Sequence, residues 1–345
     1  MVAEMDKESF LEIAWNKTRI VTDLNFACQG VQIGDLRLKY SDNKYALGYI
    51  PIPIGIISGR EGPTVLLTGG VHGDEFEGPI ALFKLLHSLD PDQVNGRLII
   101  LPALNAPALH ASARVSPIDG GNLNRAFPGD PDGGPTAMLA HLIEEVLLPH
   151  CDAAIDLHSG GKASYFTPCA LATRATDGSL SGPSLALAEA FAAPVTWVLG
   201  GLNDNRSLNS AAGRKNVPMI AAELGGGGGV SPADLVVAEQ GIINSLRHLG
   251  VLPGKPEIAT PSRRVEFRSQ AQYLYAPHGG LFEPRFAPGE DVLAGANAGA
   301  LYAVSEPERP PTPLSFDISG LVLSRCQRGL VERGELLAMI ATDVA

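Results

Sequence analysis

TVLLTGGVHGDEFEGPIALFKLL, residues 64–86, holds the transition on which the fold turns. The apolar run TVLLTGG ends in a glycine pair, HGDE follows, and Ile80, Phe83 and Leu86 then recur at helical spacing. The pattern predicts a strand, a loop and a helix in succession. The unit recurs downstream. Apolar runs RLIILPAL (97–104), AAIDLHS (153–159), VTWVLG (195–200) and VPMIAAEL (217–224) predict strands, and helices are expected at about 136–150, 183–193 and 232–249. Strands apolar throughout, alternating with amphipathic helices, imply a sheet covered on both faces, so the fold class is α/β with a mainly parallel or mixed sheet. Ser231 can cap the last helix, with Pro232 at its first position and Gly250 just past its end.

On either side of this region the pattern changes. Residues 1–60 alternate apolar and polar positions with Gly and Asp-Asn punctuation and predict an N-terminal β extension ahead of the α/β domain, 61–250. VLPGKPEIATPSRR, 251–264, is rich in breakers and is read as a linker. Residues 265–345 predict short strands only, in two imperfect copies: Gly280, Leu281, Gly289, Val292 and Gly295 answer Gly320, Leu321, Gly329, Val331 and Gly334. Two copies imply a small, pseudo-symmetric, barrel-like all-β domain. It resembles the biotinyl and lipoyl carrier barrels, but those acylate a lysine and none occurs after Lys255, so a structural or substrate-shielding role is expected.

With 345 residues, 45% of them apolar, the chain can bury a sizeable core. A formal net charge of −11 leaves no basic patch for phosphates, which argues against nucleic acid and anionic membrane and for a small solute as partner. Whether the chain forms a homo-oligomer stays open. Cysteines 28, 151, 169 and 326 lack CxxC spacing and read as reduced thiols. The start, MVAEMDKESFLEIAWNK, lacks the basic cap and apolar run of a secretory signal, and Gly, Pro or a charge interrupts every apolar stretch short of a membrane span. A cytoplasmic location is expected.

Four segments can carry chemistry. HGDE sets His72 and Glu75 three residues apart after an apolar strand; alone the pair reads equally well as two solvated loop residues. Zinc accepts imidazole nitrogen and carboxylate oxygen, and a catalytic site needs a third protein ligand and one open position. His158, at the end of AAIDLHS, is the candidate, because strand ends converge in the crevice where α/β sheets bind ligands. Glu223 ends VPMIAAEL before five glycines, 225–229, and could reach a substrate closely enough to act as general base. The glycine run lacks the spacing of a nucleotide loop. Asn124 and Arg125 in NLNR suit a carboxylate, and Arg114 could hold an oxyanion or simply pair at the surface. Asp156, two before His158, is either an orienting partner of an imidazole or a salt-bridge residue.

HGDE, NLNR, DLHSGG and the Glu of AAELGGGG, in this order, resemble the succinylglutamate desuccinylase/aspartoacylase family, a branch of the zinc carboxypeptidase superfamily. The resemblance covers about residues 50–250 and, more loosely, the C-terminal segment. It implies that His72, Glu75 and His158 bind one zinc ion, that Glu223 is general base and acid, and that Asn124 and Arg125 bind a substrate carboxylate. Arg114 would take the oxyanion role, although it precedes Arg125 by eleven residues, a wider gap than expected in aspartoacylase. The stretch SPIDGGNLNRAFPG, with HSGGK and ELGGGG, is similar to a bacterial subgroup that deacetylates N-acetyl-2,4-diaminobutyrate. The function implied is zinc-dependent hydrolysis of a small N-acyl amino acid. A metallocarboxypeptidase, an ester hydrolase and a non-catalytic zinc-binding module are the alternatives.

Overall fold

The computed structural model describes residues 15–42, 46–174, 182–200 and 204–344. The start of the chain, where no signal is expected, therefore lies outside the described residues as far as residue 14. The strands are β1 Gly30–Tyr40, β2 Gly48–Ser58, β3 Arg60–Gly69, β4 Asn95–Leu101, β5 Ala153–His158, β6 Ser164–Thr173, β7 Val195–Leu199, β8 Met219–Gly226 and β9 Arg263–Glu266. They continue with β10 Tyr273–Tyr275, β11 Gly280–Pro284, β12 Asp291–Val292, β13 Asn297–Tyr302, β14 Thr312–Ser315, β15 Gly320–Cys326, β16 Leu330–Val331 and β17 Leu336–Asp343. The helices are α1 Glu77–Ser88, α2 Ala106–His110, α3 Pro135–His141, α4 Pro183–Phe191, α5 Leu208–Arg214 and α6 Pro232–His248. A π-helical segment, Leu142–Leu147, and a 3-10 turn, Leu148–His150, extend α3.

The main sheet is mixed, in the order β1-β2-β4-β3-β5-β8-β6-β7-β9-β17-β15-β12. At its centre β4, β3, β5 and β8 run parallel, in register at Leu66↔Ile99, Leu67↔Ile155 and Ile155↔Ile220. Each face buries its own core. Leu66, Ile99 and Ala154 pack beneath α5 and the α3 extension, whereas Val65, Leu67, Leu98 and Ile155 pack beneath α1, α4 and α6. This double burial explains strands without polar alternation. In α6, Ser231 Oγ accepts the Asp234 amide at 3.3 Å, and Gly250 adopts φ +75° beyond the end.

Helix α1 forms where expected, and Leu86 alone of the three positions whose spacing predicted it is fully on the buried face. Ala81, Leu82, Leu85 and Leu86 are buried, while Phe83 is 39% exposed. Apolar residues lie on both sides of this helix, so periodicity predicted a helix without selecting its buried stripe. The strand over SYFTPCALAT, β6, went unread because Pro168 interrupts it; a register shift between Phe166 and Cys169 accommodates the proline.

The C-terminal strands do not stand apart. β6, β7, β9, β17 and β15 close a five-strand ring, since β15 also pairs with β6. A four-strand sheet, β14-β13-β11-β16, packs beside it. The short strands cross between the two sequence copies: β12 pairs with β15, and β16 with β11. The segment read as linker is packed at both ends, with Val251 and Leu252 buried and Arg263 opening β9 alongside β7.

Candidate active site

The parallel strands β3, β5 and β8 deliver their C-terminal ends to one edge of the sheet. The loop after β3 carries His72 and Glu75; β5 ends in His158, which is in register with Glu223 of β8. The turn at Gly73 lies so close to α2 that a Cβ there would stand 1.9 Å from the Ala108 carbonyl carbon. Asp74 Oδ2 accepts the Lys162 amide at 2.9 Å, tying this turn to the loop after β5.

His72, Glu75 and His158 are all buried, and each offers a ligand atom within 4.8 Å of the others, so the group can hold a metal ion. His72 Nδ1 and His158 Nδ1 each lie 2.8 Å from one Glu75 oxygen. Their outer nitrogens are held elsewhere: His158 Nε2 lies 2.7 Å from Asp156 Oδ2, and His72 Nε2 lies 3.2 Å from Asn122 Oδ1. Both outer partners are acceptors, so each ring can keep a proton on Nε2 when its Nδ1 turns to an ion. Thr68 Oγ donates to Asp156 Oδ1 at 2.7 Å and fixes that carboxylate in turn. Of the two readings of Asp156, the structure has it contacting the imidazole.

Burial works against the Glu75 charge, but the imidazoles of His158 and His72 outweigh it and hold the carboxyl at about 2. Burial likewise lowers His158, yet Asp156 and Glu75 raise it well above the usual imidazole range. Glu223 is pushed up to about 8, chiefly by burial and further by the Glu75 and Asp156 charges, against the opposing His158 and Arg114. Its Oε2 is buried without a hydrogen-bond partner.

Seven of the residues singled out from the sequence line one cavity of about 430 Å³: His72, Glu75, Arg114, Asn124, Arg125, His158 and Glu223, with Asp156 behind them. Arg114 Nη1 lies 3.5 Å from Glu75 Oε1 on a half-exposed side chain. Asn124 Oδ1 accepts the Leu208 amide at 3.0 Å, and Arg125 Nε stands 3.2 Å from Asp204 Oδ2. Neither Asn122 nor Asp204 was singled out from the sequence, because both act through loops distant in the chain. Cys326, Arg328, Glu335 and Leu336 of the C-terminal segment complete the cavity. A larger hollow of about 590 Å³ lies on the β1–β2 hairpin, but among the described residues its lining carries Arg37 and Lys39 with no imidazole or acid.

The model of the succinylglutamate desuccinylase/aspartoacylase catalytic domain matches residues 61–249. The chain is 37% identical over 326 residues to the N-alpha-acetyl-L-2,4-diaminobutyric acid deacetylase of Halomonas elongata, covering 94% of this chain and 95% of that one. It belongs to the succinylglutamate desuccinylase/aspartoacylase family. Among solved structures of this family, that of succinylglutamate desuccinylase/aspartoacylase from Rhodobacter sphaeroides superposes with a TM-score of 0.90 at 38% identity, covering 95% of this chain and 100% of that one. The product-bound ectoine utilization protein EutE (DoeB) from Ruegeria pomeroyi does so at 0.90 and 35%, covering 94% and 99%.

Within this family fold three of the remaining histidines keep structural partners: His87 bonds the Phe83 carbonyl, His141 the Lys17 carbonyl and His278 Thr312. The four cysteines are free thiols, and Cys169, in register with Glu223, is held protonated by burial and by that carboxylate. No helix among the described residues is long and apolar enough to cross a membrane.

Proposed function

We propose that this family member is a zinc-dependent hydrolase of the amide bond in small N-acyl amino acids, and that N-acetyl-2,4-diaminobutyrate is its substrate. The observation that carries this reading is the buried, unpartnered Oε2 of Glu223 in the same cavity as the His72, Glu75 and His158 donors. The donor set fits the ion: two imidazole nitrogens and one carboxylate face one another, and the cavity leaves a side open to substrate. These three residues would hold zinc, which when bound would supply an acidified water and polarise the carbonyl.

The protein's own residues do the rest. Glu223 accepts the proton of the attacking water and returns it to the nitrogen of the departing amine. Arg114, the cation beside Glu75, stabilises the oxygen on which negative charge develops. Arg125 and the free amide nitrogen of Asn124 bind the substrate carboxylate, with Asp204 holding the guanidinium in place. The C-terminal side chains Arg328 and Glu335 narrow the mouth, which favours small substrates over long peptides. The name of the Halomonas relative directs the choice of acyl and amine.

The test is amine release by metal-assayed protein from N-acetyl, N-succinyl and N-formyl amino acids, with N-acetyl-2,4-diaminobutyrate among them, and with peptides and esters alongside. Chelator-sensitive release from the diaminobutyrate compound is expected. No release from any acyl amino acid by fully zinc-loaded protein refutes the reading.

A further inference from the structure

The end of the sheet away from the active site carries a cation that the fold leaves uncompensated. Strand β4 lies between β2 and β3, and Arg97 stands in register with Ser58 on one side and Thr64 on the other. In-register neighbours share a face, so this guanidinium is flanked by two hydroxyls. The register of β3 against β4 shifts between Arg60 and Thr64, and residues 61–63 bulge against Gly96, where a Cβ would stand 1.9 Å from the Pro63 carbonyl oxygen. Beside the bulge lies a hollow of about 260 Å³, lined by Arg97, Ser58 and Thr64 together with Arg60, Glu61 and Gln29. Because β3 runs the length of the sheet before it reaches the loop of His72 and Glu75, the hollow lies on the order of 30 Å from those donors.

Arg97 is the group that lacks a counterpart. Its Nε donates to Ser58 Oγ at 3.1 Å, the one side-chain bond it forms among the described residues. Burial lowers its pKa, and the neighbour acting against that is the Cys151 thiol rather than a carboxylate. That thiol is itself pushed up to about 12, chiefly by burial, so it is neutral near pH 7 and leaves the guanidinium unbalanced. The nearby acids do not fill the gap. Asp152 Oδ2 accepts the Thr64 amide at 2.7 Å, and among the described residues neither Asp152 nor Glu61 pairs with Arg97 or Arg60. Two guanidiniums against one carboxylate make the lining cationic, in a chain whose net charge is −11. A partly buried charge costs desolvation free energy that an anion in contact with it offsets. Ser58 Oγ, having accepted from Arg97, keeps its proton to donate, while Thr64 and Gln29 add a hydroxyl and an amide. We infer that this hollow binds a doubly charged oxyanion, its oxygens held by the Arg97 Nη groups, the Arg60 guanidinium and the Ser58 hydroxyl. Such an anion ties β2, β3 and β4 together at the end of the sheet that carries no chemistry, so its effect falls on stability and stands apart from the hydrolysis proposed above.

The probe is inorganic phosphate, titrated into the zinc-loaded full chain against chloride at matched ionic strength, with calorimetric heat and melting temperature as readouts. Succinate serves as a carboxylate of similar charge. At about ten times the Kd, the wild type should melt about 2 °C higher than in chloride. Arg125→Gln, which alters the substrate cavity, should keep that rise, and Arg97→Gln should lose it. Arg60→Gln replaces an exposed side chain and should weaken binding by about tenfold, as for one charge-assisted hydrogen bond; it decides the matter if Arg97→Gln does not fold. A response to phosphate alone assigns the hollow to phosphate groups, one to succinate alone assigns it to carboxylates, and one to both assigns it to dianions of either kind. Absence of saturable binding of both anions by the wild type, or a response that Arg97→Gln retains in full, overturns the inference.

Discussion

Glu223 occupies a position in which a carboxyl resists ionisation, and two predictions rest on it. As the proposed proton carrier, its loss in Glu223→Gln should lower kcat by about 10²–10⁴-fold, with zinc content by metal analysis still stoichiometric. Retained turnover would place the proton transfer elsewhere. The second concerns the metal-free chain. The carboxyl sits at about 8 in the folded protein against 4.5 as its ordinary value, so the native state holds a proton that the unfolded chain has released. The linked stability is therefore complete below about pH 4.5 and declines as pH rises towards 8. Thermal melting of the metal-free protein should fall over that window, and Glu223→Gln should flatten the slope. Glu75 acts in the opposite sense and at lower pH: held at about 2, its contribution is lost as pH falls below 4.5. The groups behind the imidazoles supply a third prediction. Asp156→Ala or Asn122→Ala removes the acceptor that orients an imidazole and should weaken zinc binding by about 10–100-fold in a chelator competition. Equal affinity in wild type and both variants would show that the rings are held by packing alone.

Helix α1 shows what one element reveals and what it hides. Leu82 is fully buried among Leu67, Leu98 and Ile155, whereas Phe83 beside it is 39% exposed. Leu82→Ala should cost about 2–5 kcal/mol in urea unfolding, and Phe83→Ala within about 1 kcal/mol. A larger loss at Phe83 would mean that its ring packs into the core as Leu82 does. The central strands were legible because double burial removes polar residues from β3, β4, β5 and β8, and the chemical residues were legible because they sit where those runs stop. Asp204 carries no such local mark, and Asn122 opens NLNR, where only Asn124 and Arg125 were read as chemical. Asn122 reaches His72 across 50 residues and Asp204 meets Arg125 across a separate loop, so their roles arise only when the fold closes. Asp156 was an intermediate case: its two-residue spacing from His158 on one strand face was visible, but the bond between them was one of two readings.

At the scale of the molecule, the question is whether the α/β region can stand without the C-terminal strands. The site draws Cys326, Arg328, Glu335 and Leu336 from beyond residue 264, so substrate would meet an incomplete pocket in their absence. The core gives the stronger argument. Cys169, Leu171, Val195 and Ala221 from β6, β7 and β8 are buried in one cluster with Val265, Leu321, Leu323, Met339 and Ala341 from β9, β15 and β17. Removing residues 251–345 would strip the cover from that face and leave β7 with an unpaired edge where β9 had been. Exposed apolar surface of this kind favours association over folding. The full chain should therefore melt in a single calorimetric transition, with the ring and the parallel sheet unfolding together. A fragment ending at residue 250 should be insoluble, or lack a cooperative transition, even with zinc present. Two resolved transitions in the full chain, or a soluble fragment that melts cooperatively, would show that the ring closes over a region already stable by itself.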